Sequence, residues 1–305
     1  MIELVKNTKI DFMGLKKYAF AFSAALVLLG IVGTVQIYRG NANLGIDLAG
    51  GTEIQLKFQK PFAMDRIRSL LAGAGHGEAT LQEVSGENIL MLKLRAGAKQ
   101  DEKMIAEPVV NLLRKSLADN PFVVQSVSEI GPAIGHKLRS DAEMALLISA
   151  LAIIVYLAWR FEFKFGVAAA IATFHDIFAI VGIFWALGIE MDLLFITALL
   201  TIGGYSLTDT VVVFDRIREN IRLRKKGTFS ETINLSVNEV LSRTIVTSLT
   251  VFIAVVTLLI FGGIVLHNFA LALAMGIVVG TYSSVFVASP VVAVWRGEKM
   301  TEVKR

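Results

Sequence analysis

Six runs of apolar residues constrain this chain more than any other feature: 18–38, 142–159, 165–187, 193–214, 244–263 and 268–294. A helix needs about 20 such residues to cross the hydrocarbon core of a bilayer. Lipid offers the backbone no hydrogen-bond partner, so each run must satisfy its own amides, which a helix does and an isolated strand does not. With 54% of its 305 residues hydrophobic, the chain is too apolar for an ordinary soluble domain. It reads as a polytopic α-helical membrane protein with a six-span bundle. The first run is longer than the apolar part of a signal peptide and lacks a small-x-small cleavage site, so it is expected to stay as the first span.

The distribution of lysine and arginine orients the bundle. Residues 1–17 carry Lys6, Lys9, Lys16 and Lys17, and basic residues recur at 160–164, at 215–243 and in the tail 295–305. The short loops 188–192 and 264–267 hold neither Lys nor Arg. Basic short loops stay inside, so both termini are expected to be cytoplasmic, with 39–141 outside. His136, Lys137 and Arg139 run against this trend, but they belong to a long translocated segment, where the rule is weak. The cytoplasmic stretch 215–243 concentrates Arg216, Arg218, Arg222, Arg224, Lys225 and Lys226. It reads as a helix lying at the membrane surface or as a docking surface for a partner.

Residues 39–141 change character, with acidic and basic side chains nearly balanced. Ile54, Leu56 and Phe58 alternate along 51–58, a strand pattern, and Met64, Ile67, Leu70 and Leu71 take helical spacing. Strands are expected at 79–84 and 88–94, joined by the turn Ser85-Gly86-Glu87. A second helix is expected at 101–118 and a last strand at 122–127. That order predicts an α+β, ferredoxin-like extracytoplasmic domain.

Charged residues inside apolar spans are costly and usually face a bundle interior or a water path. Asp209 is one, since Val211–Phe214 stays apolar beyond it. It reads as an ion-relay carboxylate, or as a group that caps a helix end or hydrogen-bonds a neighbouring helix. Thr201, Tyr205, Thr208 and Asp209 fall along one helical stripe. Arg243 stands at the lip of its span, followed by Thr244, Thr247, Ser248 and Thr250. It either pairs with the Asp209 carboxylate or snorkels to the headgroups. His175 and Asp176 lie inside 165–187, as a second polar pair of the relay or as a structural hydrogen bond. Gly203 and Gly204, and Gly276 and Gly280 with Ser284, are small residues that let helices pack closely.

Several classes are excluded. The chain has no cysteine, and His76, His136, His175 and His267 give no metal-ligand spacing, so no metal site is expected. No phosphate loop, nucleophile–base pair or zinc helix occurs, so neither a catalytic residue nor a cofactor is expected. Asp176 and Asp209 lack the sequence context of intramembrane aspartyl proteases. The net charge of +4 collects beside apolar runs, where topology explains it without nucleic acid.

Four motifs resemble the SecF family, the smaller membrane subunits of the bacterial SecD–SecF export complex. They are Gly45-Ile46-Asp47-Leu48-Ala49-Gly50-Gly51-Thr52, the pair His175-Asp176, the signature from Gly203 through Asp209 and Asp215-Arg216-Ile217-Arg218-Glu219 to Asn220, and Ser242-Arg243-Thr244 with Thr247-Ser248. The chain departs from the family at Thr208, where asparagine is usual, and at Leu48, where phenylalanine is usual. The resemblance implies half of a resistance-nodulation-division type transporter, the other half coming from SecD. It implies an accessory, non-enzymatic subunit of the Sec translocase in the cell inner membrane. Its partners would be SecD, the SecYEG channel driven by SecA, the unfolded preprotein and membrane lipid. The proton motive force would drive it, with Asp209, Arg243, Asp176 and His175 as the proton relay. A passive assembly scaffold and a small-molecule or lipid exporter half are the alternatives.

Overall fold

The computed structural model describes residues 8–84, 88–95, 105–223 and 227–297. They form two compact units, one spanning Leu44–Met144 and the other Met1–Asn43 with Ala145–Arg305. In chain order, helix α1 (Lys16–Tyr38) precedes a single helical turn, α2 (Ile46–Ala49), and strand β1 (Gly51–Phe58). Then come α3 (Met64–Gly73), β2 (Thr80–Val84), β3 (Ile89–Arg95), α4 (Ala106–Ser116) and β4 (Phe122–Ile130).

The four strands form one antiparallel sheet in the order β2-β3-β1-β4, the ferredoxin-like arrangement expected from the element order. Its register sets Ile54 opposite Leu92 and Leu56 opposite Leu90. Side chains alternate across a strand, so these four share a face with Phe58 and Leu94. Ile67 and Leu71 of α3 and Val109 and Leu113 of α4 cover that face. Each such side chain contributes about 1.5–3 kcal/mol by leaving water. On the other face Lys93 Nζ lies 3.3 Å from Glu53 Oε2. β4 runs to Ile130, past the expected end at 127, because its pairing with β1 continues through Ser126, Ser128 and Glu129. The helix expected from 101 begins at Ala106. Residues 101–104 and the turn at 85–87 lie outside the described residues. The double glycine ahead of β1 has a steric reason: Gly50 takes φ +76°, and a Cβ on Gly135 would come within 2.7 Å of its amide nitrogen.

The remaining elements are α5 (Pro132–Arg160), α6 (Phe163–Ala186), α7 (Leu193–Leu223), α8 (Phe229–Phe261) and α9 (Gly263–Ser283), then a π-helical turn (Ser284–Ala288) and α10 (Ser289–Arg296). Helix α5 starts ten residues before the apolar run, at a proline whose fixed φ suits a first helical position. Its polar start is helical too, with Arg139 Nε 3.1 Å from Glu143 Oε1 one turn on.

The charged stretch 215–243 does not lie along a surface as one separate helix. Residues 215–223 are the continuation of α7 and 229–243 the beginning of α8, and Arg224, Lys225 and Lys226 lie outside the described residues. Thr228 and Glu231 close a reciprocal capping box that starts α8. Asn220 Nδ2 donates to Ser236 Oγ at 3.0 Å and to Glu239 Oε2 at 2.6 Å, and Arg216 Nε donates to the same carboxylate at 2.7 Å. The N-terminal segment docks here as well: Ile10 and Met13 donate their amides to Asn238 and Asn234. Phe165, Phe214, Phe229, Ile233 and Val237 form the apolar core beneath, with Phe165 and Phe214 edge to face at 5.1 Å.

Small residues set the closest helix crossings. A Cβ on Gly182 of α6 would come within 2.5 Å of Gly30 N of α1, and one on Gly30 would run into the Phe178 carbonyl. Such approach without a side chain between backbones is how apolar helices associate where lipid removes the hydrophobic drive. The π-helical turn precedes Pro290, which cannot donate the amide an α-helix would use there.

Candidate functional site

Two carboxylates lie inside the apolar helices. Asp176 of α6 is fully buried, and so is its neighbour His175. His175 Nδ1 is 2.9 Å from Asp176 Oδ1. The other oxygen, Oδ2, accepts from Ser283 Oγ of α9 at 2.8 Å and from Ser206 Oγ of α7. One carboxylate thus ties three helices together. His175 Nε2 has no hydrogen-bond partner among the described residues. Its ring lies 6.2 Å from that of Tyr282, whose hydroxyl donates to the Ala19 carbonyl of α1 at 3.1 Å.

Asp209 of α7 is 6% exposed. Its Oδ2 accepts from Ser248 Oγ of α8 at 3.1 Å, and Thr281 Oγ1 of α9 lies 2.8 Å from that serine oxygen. A line of oxygens therefore runs from the carboxylate across α8 to α9. Ser206 and Asp209 are one turn apart on α7, and Thr281 and Ser283 are neighbours on α9, so the same two helices serve both carboxylates. Among the described residues no hydrogen bond joins Asp176 to Asp209, and each has its own hydroxyl partners. A proton shared directly between two carboxylates needs them in contact.

The other expected residues fall in different places. Arg243 is exposed, and among the described residues no ion pair joins it to Asp209. The stripe splits: Asp209 is buried, Tyr205 partly buried, and Thr201 and Thr208 are exposed. Gly276 and Gly280 are where α9 meets α7. A Cβ on Gly276 would run into Ile202, and one on Gly280 would come within 3.1 Å of Ser206 Cβ. Gly203 has ordinary neighbours, the nearest Thr173 Cγ2 at 3.7 Å, and nothing lies within 4 Å of a Cβ on Gly204. Sequence reasoning missed Ser206 and Ser283 as partners of Asp176, and Thr281 as the partner of Ser248. A hydroxyl inside an apolar span is the only sequence signal for them, and most such hydroxyls bond to the carbonyl one turn back, as Thr197, Thr201 and Thr257 do here. The Gly30–Gly182 crossing was missed as well.

Among the described residues, six helices long and apolar enough to cross a membrane, two buried carboxylates held by hydroxyls from neighbouring helices, and a ferredoxin-like unit define a polytopic α-helical membrane protein. The chain matches the family "Protein export membrane protein SecD/SecF, C-terminal" over residues 110–298 and the SecD/SecF GG motif over residues 43–62. It is 49% identical over 294 residues to protein translocase subunit SecF of Thermodesulfovibrio yellowstonii, covering 96% of each chain. It is 43% identical to that of Desulfurispirillum indicum, covering 94% of this chain and 92% of the relative. The crystal structure of SecDF, a translocon-associated membrane protein from Thermus thermophilus, superposes with a TM-score of 0.82 at 36% identity. That match covers 97% of this chain and 40% of the SecDF chain. A super-membrane-facing form of SecDF matches with a TM-score of 0.70. The chain belongs to the SecF family of protein translocase subunits, and it is a multi-pass membrane protein.

Proposed function

We propose that this chain works with SecD as the accessory SecF subunit of the Sec translocase. In this reading it draws on the proton motive force to promote release and completion of polypeptide export. The observation that carries it is the setting of Asp209, a carboxylate inside an apolar helix bundle held by one hydroxyl and continued by a second. Binding or losing a proton there changes a charge in surroundings that solvate it poorly, which is enough to favour one helix packing over another. Asp176, with His175, Ser206 and Ser283 around it, has more bonds to break before it can exchange, so it serves as the steadier second member of the relay. Arg243 approaches Asp209 in only one of the two packings and tunes its charge. That SecDF has been solved in forms matching this chain at TM-scores of 0.82 and 0.70 supports an architecture with more than one arrangement.

Both termini lie in the cytoplasm in this scheme, and residues 39–141 lie outside the inner membrane, where they handle the preprotein leaving SecYEG. SecA supplies the drive on the cytoplasmic side. The test is reconstitution. Inner-membrane vesicles lacking the chain should export a reporter preprotein without benefit from an imposed proton gradient. Adding the chain back with SecD should restore that benefit. Equal gradient stimulation with and without the chain would contradict the proposal.

A further inference from the structure

The ends of α5 and α7 line a wide-open cavity of about 350 Å³ formed by Arg160, Asp215, Arg218, Glu219, Arg222 and Leu223. Three guanidinium groups share two carboxylates there. Arg160 Nη2 lies 2.7 Å from Asp215 Oδ2, and Arg218 Nη1 lies 3.6 Å from Asp215 Oδ1. Glu219 is engaged from outside the cavity by Arg216 at 2.7 Å. One aspartate therefore serves two arginines, and Arg222 makes no ion pair among the described residues. Arg218 Nε is buried with no hydrogen-bond partner among the described residues. Phe161 sits under both inner guanidiniums, 4.8 Å from Arg160 and 5.8 Å from Arg218, and holds their planes in place. The cavity has positive charge in excess and a buried donor still unused.

Planar guanidinium forks match the oxygens of a phosphate. The apolar rim says where that phosphate comes from. Leu223 lines the cavity and is 69% exposed, and Trp159, the residue before Arg160 in the chain, is 85% exposed; both stand at the ends of helices long enough to cross a bilayer. Tryptophan favours the headgroup level, where one side is apolar and the other wet. A soluble phosphate would gain nothing from this rim, whereas the glycerol and first methylenes of a lipid would lie against it. The amine of a zwitterionic headgroup would meet the excess of arginines unfavourably. We propose that this cavity binds the phosphate of an anionic membrane lipid, with Arg222 and the outward edges of Arg160 and Arg218 as donors.

The test uses the full chain in neutral detergent, titrated with short-chain phosphatidylglycerol, short-chain phosphatidylcholine or inorganic phosphate while the thermal unfolding midpoint is followed. A ligand that binds only the folded state raises that midpoint once its concentration passes the dissociation constant, and the rise continues with the logarithm of concentration. Phosphatidylglycerol should raise it with that logarithmic dependence, and the other two should not raise it at equal concentration. Arg222→Gln, at an exposed position, should weaken the apparent affinity roughly fivefold, the effect of one basic residue at an anionic surface. Arg222→Lys should keep part of it, and Arg114→Gln, far along the chain on α4, should keep all of it. An unchanged phosphatidylglycerol response in Arg222→Gln would overturn the site. An equal response to inorganic phosphate would overturn the lipid assignment.

Discussion

Asp176 accepts hydroxyl hydrogen bonds from two other helices beside its contact with His175, while Asp209 accepts one, from Ser248. The two carboxylates should therefore respond differently to substitution. Ser283→Ala removes one hydrogen bond between helices and should destabilise the protein by about 0.5–1.5 kcal/mol. Asp176→Ala removes the acceptor shared by His175, Ser206 and Ser283, leaving Ser283 only the Gly280 carbonyl, and should destabilise the protein by about 1–3 kcal/mol. Thermal unfolding in detergent should rank wild type above Ser283→Ala and Ser283→Ala above Asp176→Ala. An Asp176→Ala protein as stable as wild type would refute the three-helix tie. Outside the bundle, the bond from Arg66, 2.7 Å away, holds the Asp119 carboxyl below the usual aspartate range. Its support for folding is present above the ordinary aspartate range and is lost as pH falls through the depressed value. Both groups are exposed, so the effect on stability is small. A carboxyl NMR titration should place Asp119 below an ordinary aspartate, and Arg66→Ala should return it towards the usual range. Asp209 was legible in the sequence because it stands alone among apolar neighbours. Ser206 and Ser283, which hold Asp176, were not, because a hydroxyl on a helix looks the same whether it bonds to its own turn or to another helix.

The elements carry their own lesson about small residues. Of the four glycines that spacing marks for helix packing, Gly276 and Gly280 meet α7 closely and Gly204 meets nothing. Gly276→Ala forces its methyl against Ile202 and should destabilise the bundle by about 1–3 kcal/mol. Gly204→Ala adds a methyl to open space and removes a helix-breaking residue, so it should be neutral or stabilising by up to about 1 kcal/mol. Comparing the two unfolding midpoints checks this, and equal losses would contradict the packing described. Most of the ferredoxin-like unit was readable, since Ile54, Leu56 and Phe58 alternate and Ile67 and Leu71 are a turn apart. What escaped were element ends. Hydropathy stops where side chains become polar, but α5, α7 and α8 run on through Arg139, Arg216 and Glu239, because backbone hydrogen bonds and ion pairs continue without apolar side chains. The π-helical turn before Pro290 leaves no periodicity that distinguishes it from an α-helix.

At the scale of the whole molecule, the account needs a bundle that can adopt two packings and a charge that biases them. Moving one elementary charge through a membrane potential of 100 mV is worth about 2.3 kcal/mol, roughly a fiftyfold shift between two states. Asp209 is the residue proposed to carry that charge, and Asn fills nearly the same volume while removing the proton site. Burying a neutral amide costs less than burying a carboxylate, so Asp209→Asn should insert, fold and bind SecD normally. The decisive measurement is export of a reporter preprotein by vesicles containing Asp209→Asn, with and without an imposed proton gradient. The account predicts that gradient stimulation is lost while export without the gradient is unchanged. Full gradient stimulation in the Asp209→Asn vesicles would contradict it.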